Sequence, residues 1–312
     1  MADREAGATA DDELVLETAF PVVSETCTQL TPLVRRVVAG NAGPMTFTGT
    51  CSYIVGRGEV AVIDPGPARP EHIEAILLAL GSDQVSHIVV THTHLDHSPG
   101  ARILQARTGA PIVGCSSHRQ ARPSLPEEKA TIEASFDGEH RPDRELGEDD
   151  AVAGDGWTLR AVTTPGHTMN HLAFALPEER ALFSGDHVMA WSTTIVAPPG
   201  GSMGAFMRSL DKLKERDETV YWPGHGGPVG DPPRFVRALI HHRRMREISI
   251  MGRLEAGDRT VPAIVTAIYR GLADNLKRAA GFSVLAHLED LVERGLVRTD
   301  GVPQLDGAFT PA

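Results

Sequence analysis

The chain has 312 residues, of which 41% are hydrophobic and 23% are charged, and its formal net charge is −11 at pH 7. These values are typical of a soluble globular protein, and the negative charge argues against a nucleic-acid-binding protein, whose phosphate-contacting surfaces are basic. The opening MADREAGATADDELVLETAF lacks the apolar core of a signal peptide, and no apolar run approaches the roughly 18 residues of a membrane-spanning helix.

The cysteines are three scattered residues, Cys27, Cys51 and Cys115, with no CxxC spacing. This pattern supports neither a disulfide framework nor a cysteine zinc site. A reducing compartment is the usual location of such a chain, so we expect a cytoplasmic protein that does not bind membranes.

In chain order, the first strongly patterned segments are the β-branched runs LVRRVVAG, CSYIVG and EVAVIDPG, which read as strands. Residues 70–81, PEHIEAILLALG, follow with a proline at the start, acidic residues in the first turn and a glycine at the end, which predicts a helix. A further strand, VSHIVV, leads into THTHLDH and then into a second helical pattern, SPGARILQARTG. The order of strands and helices favours an α/β layered architecture.

The middle of the chain begins with the strand PIVG and a long polar excursion over residues 115–156, with a lid and a plain surface loop as the two interpretations. Strand patterns resume at WTLRAVTTPGH, and HLAFALPEERALFSG predicts a hairpin that turns at PEER. GAFMRSLDKLKERD predicts a third helix, and the strand TVYWPGHG follows it.

The character of the chain changes near residue 234. RFVRALIHHRRMREISIMGRLEAG predicts a basic helix, and two further helical patterns precede a short hairpin that begins at LVRTDG. Three helices and a hairpin are typical of a small winged-helix-like domain. We therefore predict a main domain over residues 1–235 and a winged-helix-like domain over residues 236–312.

THTHLDH, residues 91–97, places three histidines and an aspartate in the loop after a predicted buried strand. Histidine and aspartate together suit zinc or iron better than calcium. Three more predicted strand ends carry a glycine and then a ligand-type residue, and a fourth carries an aspartate: His167 in TTPGHT, Asp186 in FSGDH, His225 in WPGHGG and Asp64 in VIDPG. Because a glycine permits a tight turn, these side chains can project over one edge of the sheets and form one site.

THTHLDH, TPGHT, SGDH and WPGHG, in this order, resemble the motifs of the metallo-β-lactamase-fold hydrolases, over about residues 20–235. With the C-terminal domain, the chain resembles the branch that contains the mitochondrial β-lactamase-like endoribonuclease. The resemblance implies a four-layer αβ/βα sandwich followed by the small winged-helix-like domain.

The same resemblance implies a dinuclear metal site. Asp64 would orient a ligand histidine from outside the site, and His171 would contact the substrate, support a ligand or be merely structural. His187 and Trp191 would line the pocket. The implied ligands are His92, His94 and His167 at a first metal, Asp96, His97 and His225 at a second, and Asp186 between the two.

Two zinc ions per chain are the expected cofactors, with iron or manganese as alternatives. They would share a hydroxide, oriented by Asp96, that attacks the substrate directly. The leading prediction is hydrolysis of a carboxyl-type bond (thioester, ester, lactone or amide) in a small-molecule substrate, for example a coenzyme A thioester. The alternatives are single-stranded RNA cleavage, a mononuclear iron persulfide dioxygenase and a winged-helix DNA-binding regulator. A homodimer is also considered.

Overall fold

The computed structural model describes residues 13–312, with the exception of the Asn275 side chain. The first twelve residues, where we predict no signal peptide, lie outside the described residues. Within residues 13–312, none of the helices is both long and apolar enough to cross a membrane.

The first sheet contains seven strands in chain order. The first to the fourth strand pair antiparallel, and the fourth to the seventh pair parallel, so the fourth strand belongs to both parts. The strands are β1 Cys27–Gln29, β2 Val34–Val38, β3 Cys51–Arg57, β4 Glu59–Ile63, β5 Gln84–Val90, β6 Ile112–Gly114 and β7 Arg144–Glu145.

The second sheet contains five strands in the order β12-β11-β10-β9-β8, with β11 and β12 parallel and the other pairs antiparallel. The hairpin predicted at PEER is confirmed, since Leu176 of one strand pairs with Ala181 of the next. The strands are β8 Ala151–Gly154, β9 Trp157–Thr163, β10 Leu172–Leu176, β11 Ala181–Gly185 and β12 Val220–Pro223.

The helices predicted at residues 70–81, after THTHLDH and before TVYWPGHG are confirmed as α1, α2 and α4. The short α3 lies in the excursion over residues 115–156, which also supplies β7 and β8 and is therefore not a plain loop. The helices are α1 Pro70–Leu80, α2 Gly100–Thr108, α3 Lys129–Glu133, α4 Met203–Lys214, α5 Pro232–Glu255, α6 Val261–Ile268 and α7 Asp274–Glu293.

The alternation of side chains along β10 shows how the layers pack. Leu172, Phe174 and Leu176 belong to the core between the two sheets. Ala173 and Ala175 face the opposite way, because successive strand residues alternate, and they join the core formed with α4 and α5. Since α1 and α2 pack on the outer face of the first sheet, the order of layers is helices, sheet, sheet, helices. The predicted sandwich is confirmed.

The C-terminal part consists of α5, α6, α7 and an antiparallel hairpin of β13 Val297–Thr299 and β14 Phe309–Pro311. Leu254, Ile264, Leu288 and Phe309 are buried in a separate apolar core there. This confirms the predicted three helices with a β-wing. The domain boundary at residues 235/236 lies in the first turn of α5 and stays a prediction.

Candidate metal centre

Strand direction gathers the candidate ligands. In the first sheet β4 and β5 are parallel, so Asp64 and the THTHLDH loop leave the same edge. In the second sheet β9, β11 and β12 run in one direction, so His167, Asp186 and His225 share an edge too. The two edges are joined where the Cys51 amide donates a 2.8 Å hydrogen bond to the Gly224 carbonyl.

The first group of ligand atoms contains His92, His94, His167 and Asp186. The Nδ1 atom of His94 lies 3.0 Å from Nε2 of His92 and 3.0 Å from Nε2 of His167. Oδ2 of Asp186 lies 3.7 Å from Nε2 of His167. Four potential ligand atoms therefore face one point.

The second group contains Asp96, His97 and His225. Nε2 of His225 lies 3.2 Å from Nε2 of His97 and 3.2 Å from Oδ2 of Asp96. The two oxygens of Asp186 lie 3.4 Å from His97 Nε2 and 3.3 Å from His225 Nε2. Asp186 thus lies between the two groups, and the structure brings together all seven residues of the predicted ligand set.

Asp64 fixes two of the imidazoles from outside. His97 donates from Nδ1 to Asp64 Oδ2 over 2.9 Å, and the Thr91 hydroxyl donates to the same oxygen over 2.7 Å. Because that hydroxyl has a single proton, its oxygen accepts the 2.9 Å hydrogen bond from Nδ1 of His92. Both imidazoles therefore turn Nε2 toward the centre.

Backbone carbonyls orient two more histidines in the same way. His167 donates from Nδ1 to the Ile195 carbonyl over 2.7 Å, and His225 donates from Nδ1 to the Gly49 carbonyl over 3.3 Å. Such outer hydrogen bonds are the usual means of fixing the tautomer of a metal-binding histidine.

The electrostatics of the centre call for cations. Burial and the neighbouring His167 lower the pKa of His94 to about 3, so the first group presents neutral imidazoles whose lone pairs face each other. Burial also opposes a charge on His225, but the carboxylates of Asp186 and Asp96 raise its pKa to about 9. The second group therefore places two carboxylates around imidazole nitrogens, an arrangement that a metal cation would stabilise.

The spacing of the ligand atoms also fits metal ions. Zinc–nitrogen bonds of about 2.0–2.1 Å place tetrahedral ligands roughly 3.3 Å apart. The contacts within the two groups, from 3.0 to 3.7 Å, bracket this distance. In addition, no donor among residues 13–312 makes a hydrogen bond to the buried Oδ1 of Asp186, which is costly unless a cation satisfies it.

His171 lies behind the centre and does not face it. The amide of Asp186 donates a 3.1 Å hydrogen bond to Nε2 of His171, whose Nδ1 donates to the Thr164 hydroxyl over 2.7 Å. Gly185 has φ of +50°, and a Cβ there would lie 2.5 Å from His171 Nε2. His171 and Gly185 therefore shape the turn that presents Asp186.

The prediction that His187 and Trp191 line the pocket is wrong for the cavity at this centre. His187 is fully buried beside Phe206, with ring centroids 4.4 Å apart. Trp191 stacks on Phe47 at 4.8 Å. Although both residues are close to Asp186 in sequence, their side chains do not line the cavity that opens from the ligands.

A cavity of about 850 Å³ opens from the first group, with His94 and His167 at its inner end. Phe136 lies beside the His94 ring, with centroids 4.6 Å apart. The Asp137 amide donates to the Thr93 carbonyl over 2.8 Å, which fastens the excursion to the THTHLDH loop. The remaining walls come from Met45, from the excursion, from residues 195–200 and from the C-terminal domain.

Sequence reasoning did not identify Thr91, Thr164 or the apolar side chains of this cavity. Thr91 begins the THTHLDH motif, and a hydroxyl next to a candidate ligand histidine is a signal that it links the imidazole to a carboxylate. The cavity walls have no comparable signal, because their residues lie far apart in the chain.

A family model described as "Metallo-beta-lactamase superfamily" matches residues 45–225, and one described as "Beta-lactamase associated winged helix domain" matches residues 260–302. The chain is also similar to a metallo-β-lactamase family protein from Thermus thermophilus, with a TM-score of 0.73 and 24% identity. That alignment covers 91% of this chain and 100% of the other.

Three relatives bear on the kind of enzyme. Lactamase-like protein adaB from Aspergillus niger is 30% identical over 88% of this chain and 85% of its own. A Beta-lactamase-like protein 2 homolog from Caenorhabditis elegans is 31% identical over 86% of this chain and 87% of its own. An Atrochrysone carboxyl ACP thioesterase from Aspergillus fumigatus is 33% identical over 71% of this chain and 65% of its own.

Proposed function

Because the chain belongs to the metallo-β-lactamase superfamily and is a hydrolase of that superfamily, we propose that it hydrolyses a carboxyl-type bond, specifically a thioester, with two zinc ions. The observation that carries this proposal is the apolar cavity that opens from His94 and His167. A cavity of this kind accommodates an acyl group whose carbonyl carbon lies at the metal centre, whereas a phosphodiester chain requires a basic groove.

We assign the ligands as the sequence predicts. The first zinc ion would be held by His92, His94 and His167 and the second by Asp96, His97 and His225, with Asp186 available to both. The complete set of seven residues favours two metal ions over the single iron of a persulfide dioxygenase.

When bound, the zinc ions polarise the carbonyl oxygen and lower the pKa of water, so that hydroxide is available near neutral pH. Asp96 is 26% exposed, and its Oδ2 atom lies 3.2 Å from Nε2 of His225, so it can accept a hydrogen bond from the attacking water and orient it. Asp64 holds His97 and, through Thr91, His92, and it does not contact the substrate. We assign His171 the same supporting role for Asp186, because both of its ring nitrogens have partners within the protein.

A relative named as an acyl carrier protein thioesterase supports a thioester as the bond. Such a substrate has an acyl part, which we place in the cavity, and a thiol leaving group, for which coenzyme A or a carrier-bound thiol are candidates. Proposed partners are therefore small-molecule thioesters or their carriers.

The test is a substrate panel with parallel metal analysis. Purified, zinc-loaded protein is assayed with acyl N-acetylcysteamine thioesters, the matching oxygen esters, lactones and a single-stranded RNA oligomer. We expect two zinc ions per chain, preferential thioester hydrolysis, loss of turnover on chelation and recovery on adding zinc. Chelator-resistant turnover, or RNA cleavage without thioesterase activity, would contradict the proposal.

A further inference from the structure

The outer wall of the cavity belongs to the C-terminal domain. Phe282 and Arg278 on α7 and Leu305 in the β13–β14 loop line the same cavity as His94 and His167. Neither family membership nor the metal site requires the winged-helix domain to participate in this cavity.

Contacts between the C-terminal domain and the excursion hold this wall in place. Arg122 donates to Glu289 of α7 over 2.9 Å and makes two hydrogen bonds of 2.7 and 2.8 Å to Glu128. Arg278 donates to the Thr131 hydroxyl over 3.2 Å. These contacts fix the wall to the excursion.

Helix α7 is also fixed against α4 of the main domain. The two helices are in contact, and a Cβ on Gly204 would lie 2.5 Å from Oδ1 of Asp290, so a side chain there would displace this carboxylate. The C-terminal domain thus has a defined position relative to the metal centre.

The charges on the walls select against an anionic occupant. Glu127, Glu128 and Asp306 line the cavity, and Arg278 is the cation that faces it among the described residues. Arg278 is engaged by Thr131 and lies over the Phe282 ring, 5.6 Å from its centroid. A phosphate chain or a terminal carboxylate would meet more negative than positive charge.

The apolar walls define what does fit. Leu125, Ile132 and Phe136 face the cavity from the excursion, and Phe282 and Leu305 close it from the C-terminal domain. The volume of about 850 Å³ lies within the range of sites that bind drug-sized ligands and far exceeds the needs of an acetyl group.

We infer that the winged-helix domain is the acyl-specificity wall of the active site: Phe282 and Leu305 contact the far end of a large, uncharged, hydrophobic acyl group whose thioester carbonyl lies at His94 and His167. This inference rests on the proposed thioesterase function and adds the substrate class to it. The winged-helix domain then serves substrate selection and not DNA recognition.

The kinetic test compares acetyl, hexanoyl, decanoyl and naphthoyl thioesters of N-acetylcysteamine in the zinc-loaded full chain. For Phe282→Ala we expect the ratio of decanoyl to acetyl kcat/KM to fall on the order of tenfold, mostly through KM, because lost apolar contacts weaken binding by about this factor. Phe282→Leu should recover much of the loss. Ile248→Ala, at an exposed apolar position of α5, is the control and should keep the wild-type ratio.

A binding measurement separates this inference from the proposed function. The probe is the decyl thioether of N-acetylcysteamine, which cannot be hydrolysed, titrated into zinc-loaded protein by calorimetry. If the wild type binds the thioether and Phe282→Ala weakens this binding on the order of tenfold, the inference about the wall is supported. If that wild type hydrolyses no thioester, the proposed function alone fails.

Two results would overturn the inference. One is that the wild type hydrolyses thioesters but Phe282→Ala lowers kcat/KM by the same factor for every acyl length. The other is a decanedioyl monothioester, with its terminal carboxylate, that is hydrolysed as efficiently as the decanoyl thioester. Failure of the wild type both to hydrolyse the thioesters and to bind the thioether would reject the inference and the proposed function together.

Discussion

Replacing Asp64 by Asn tests whether the centre depends on orientation from outside. The carboxylate accepts three hydrogen bonds: at Oδ1 from the Thr91 amide over 2.8 Å, and at Oδ2 from the Thr91 hydroxyl and His97. An asparagine that keeps its oxygen at the Oδ2 position turns its NH₂ group toward the Thr91 amide, so a buried donor faces a donor. The substitution preserves side-chain volume and removes the charge.

The structure sets the expected size of the effect. At least one charge-assisted hydrogen bond of about 1.5–3 kcal/mol is lost, and the two that remain become weaker because their acceptor is neutral. Since each 1.4 kcal/mol corresponds to a factor of about ten, we expect the zinc affinity of Asp64→Asn to fall about 10–100-fold, as is usual for such supporting residues. The loss of zinc affinity should be larger at the second site. His97, a proposed ligand there, hydrogen-bonds Asp64 directly, whereas His92 at the first site is linked to Asp64 only through the Thr91 hydroxyl.

The assay is competition for zinc with a chromophoric chelator, followed by elemental analysis of the protein. Asp83→Asn is the control: Asp83 lies beyond the opposite end of β5, where it accepts a 2.8 Å hydrogen bond from the Gly58 amide. Thermal unfolding of the zinc-free variants accounts for any general loss of stability. Wild-type zinc affinity at both sites in a folded Asp64→Asn protein would refute the assigned role of Asp64.

Further predictions concern the ligands and two residues outside the centre. Asp186→Ala should lower zinc occupancy at both sites, whereas His225→Ala should lower it at the second alone, as elemental analysis after dialysis will show. Asp96→Asn should reduce kcat on the order of 100-fold in the thioester assay. Cys115→Ser should leave turnover unchanged, because burial raises the pKa of this thiol well above its usual value and keeps it an unreactive thiol. Burial raises the pKa of Glu289 to about 7. The folded state therefore keeps a proton on Glu289 up to about pH 7, whereas the unfolded state releases it above about pH 4.5. The free energy of unfolding should then fall between about pH 4.5 and 7, and Glu289→Gln should make it less dependent on pH in denaturant titrations.

The sequence predicts which residues gather at the candidate metal centre because their signals are local. The candidate ligands come soon after short apolar strands, and His167, Asp186 and His225 each directly follow a glycine. Parallel strand ends then gather these residues whatever the details of packing. The helix beginning at Pro70 was equally predictable, since its proline and its terminal glycine mark both ends.

The cavity could not be predicted because its walls depend on tertiary packing. Phe136, Pro199 and Phe282 line one space but belong to three separate segments. The sequence does not decide between a lid and a plain loop for the excursion, because its short α3 has weak periodicity. Its attachment through the Asp137 amide to the Thr93 carbonyl is a backbone contact without a side-chain signature.

The arrangement of the centre couples metal binding to the contact between the two sheets. His92, His94, Asp96 and His97 come from the first sheet, whereas His167, Asp186 and His225 come from the second, so each proposed zinc ion crosslinks both sheets. A site that holds the ion from both sheets exists only in the folded state, so the free energy of metal binding adds to the stability of the fold. The outer wall of the cavity is fixed by different contacts, through Arg122 and through the approach of α7 to α4. The proposed acyl wall and the proposed zinc sites therefore depend on separate contacts, and we expect a substitution in the wall to change which acyl group is preferred while the zinc content stays the same.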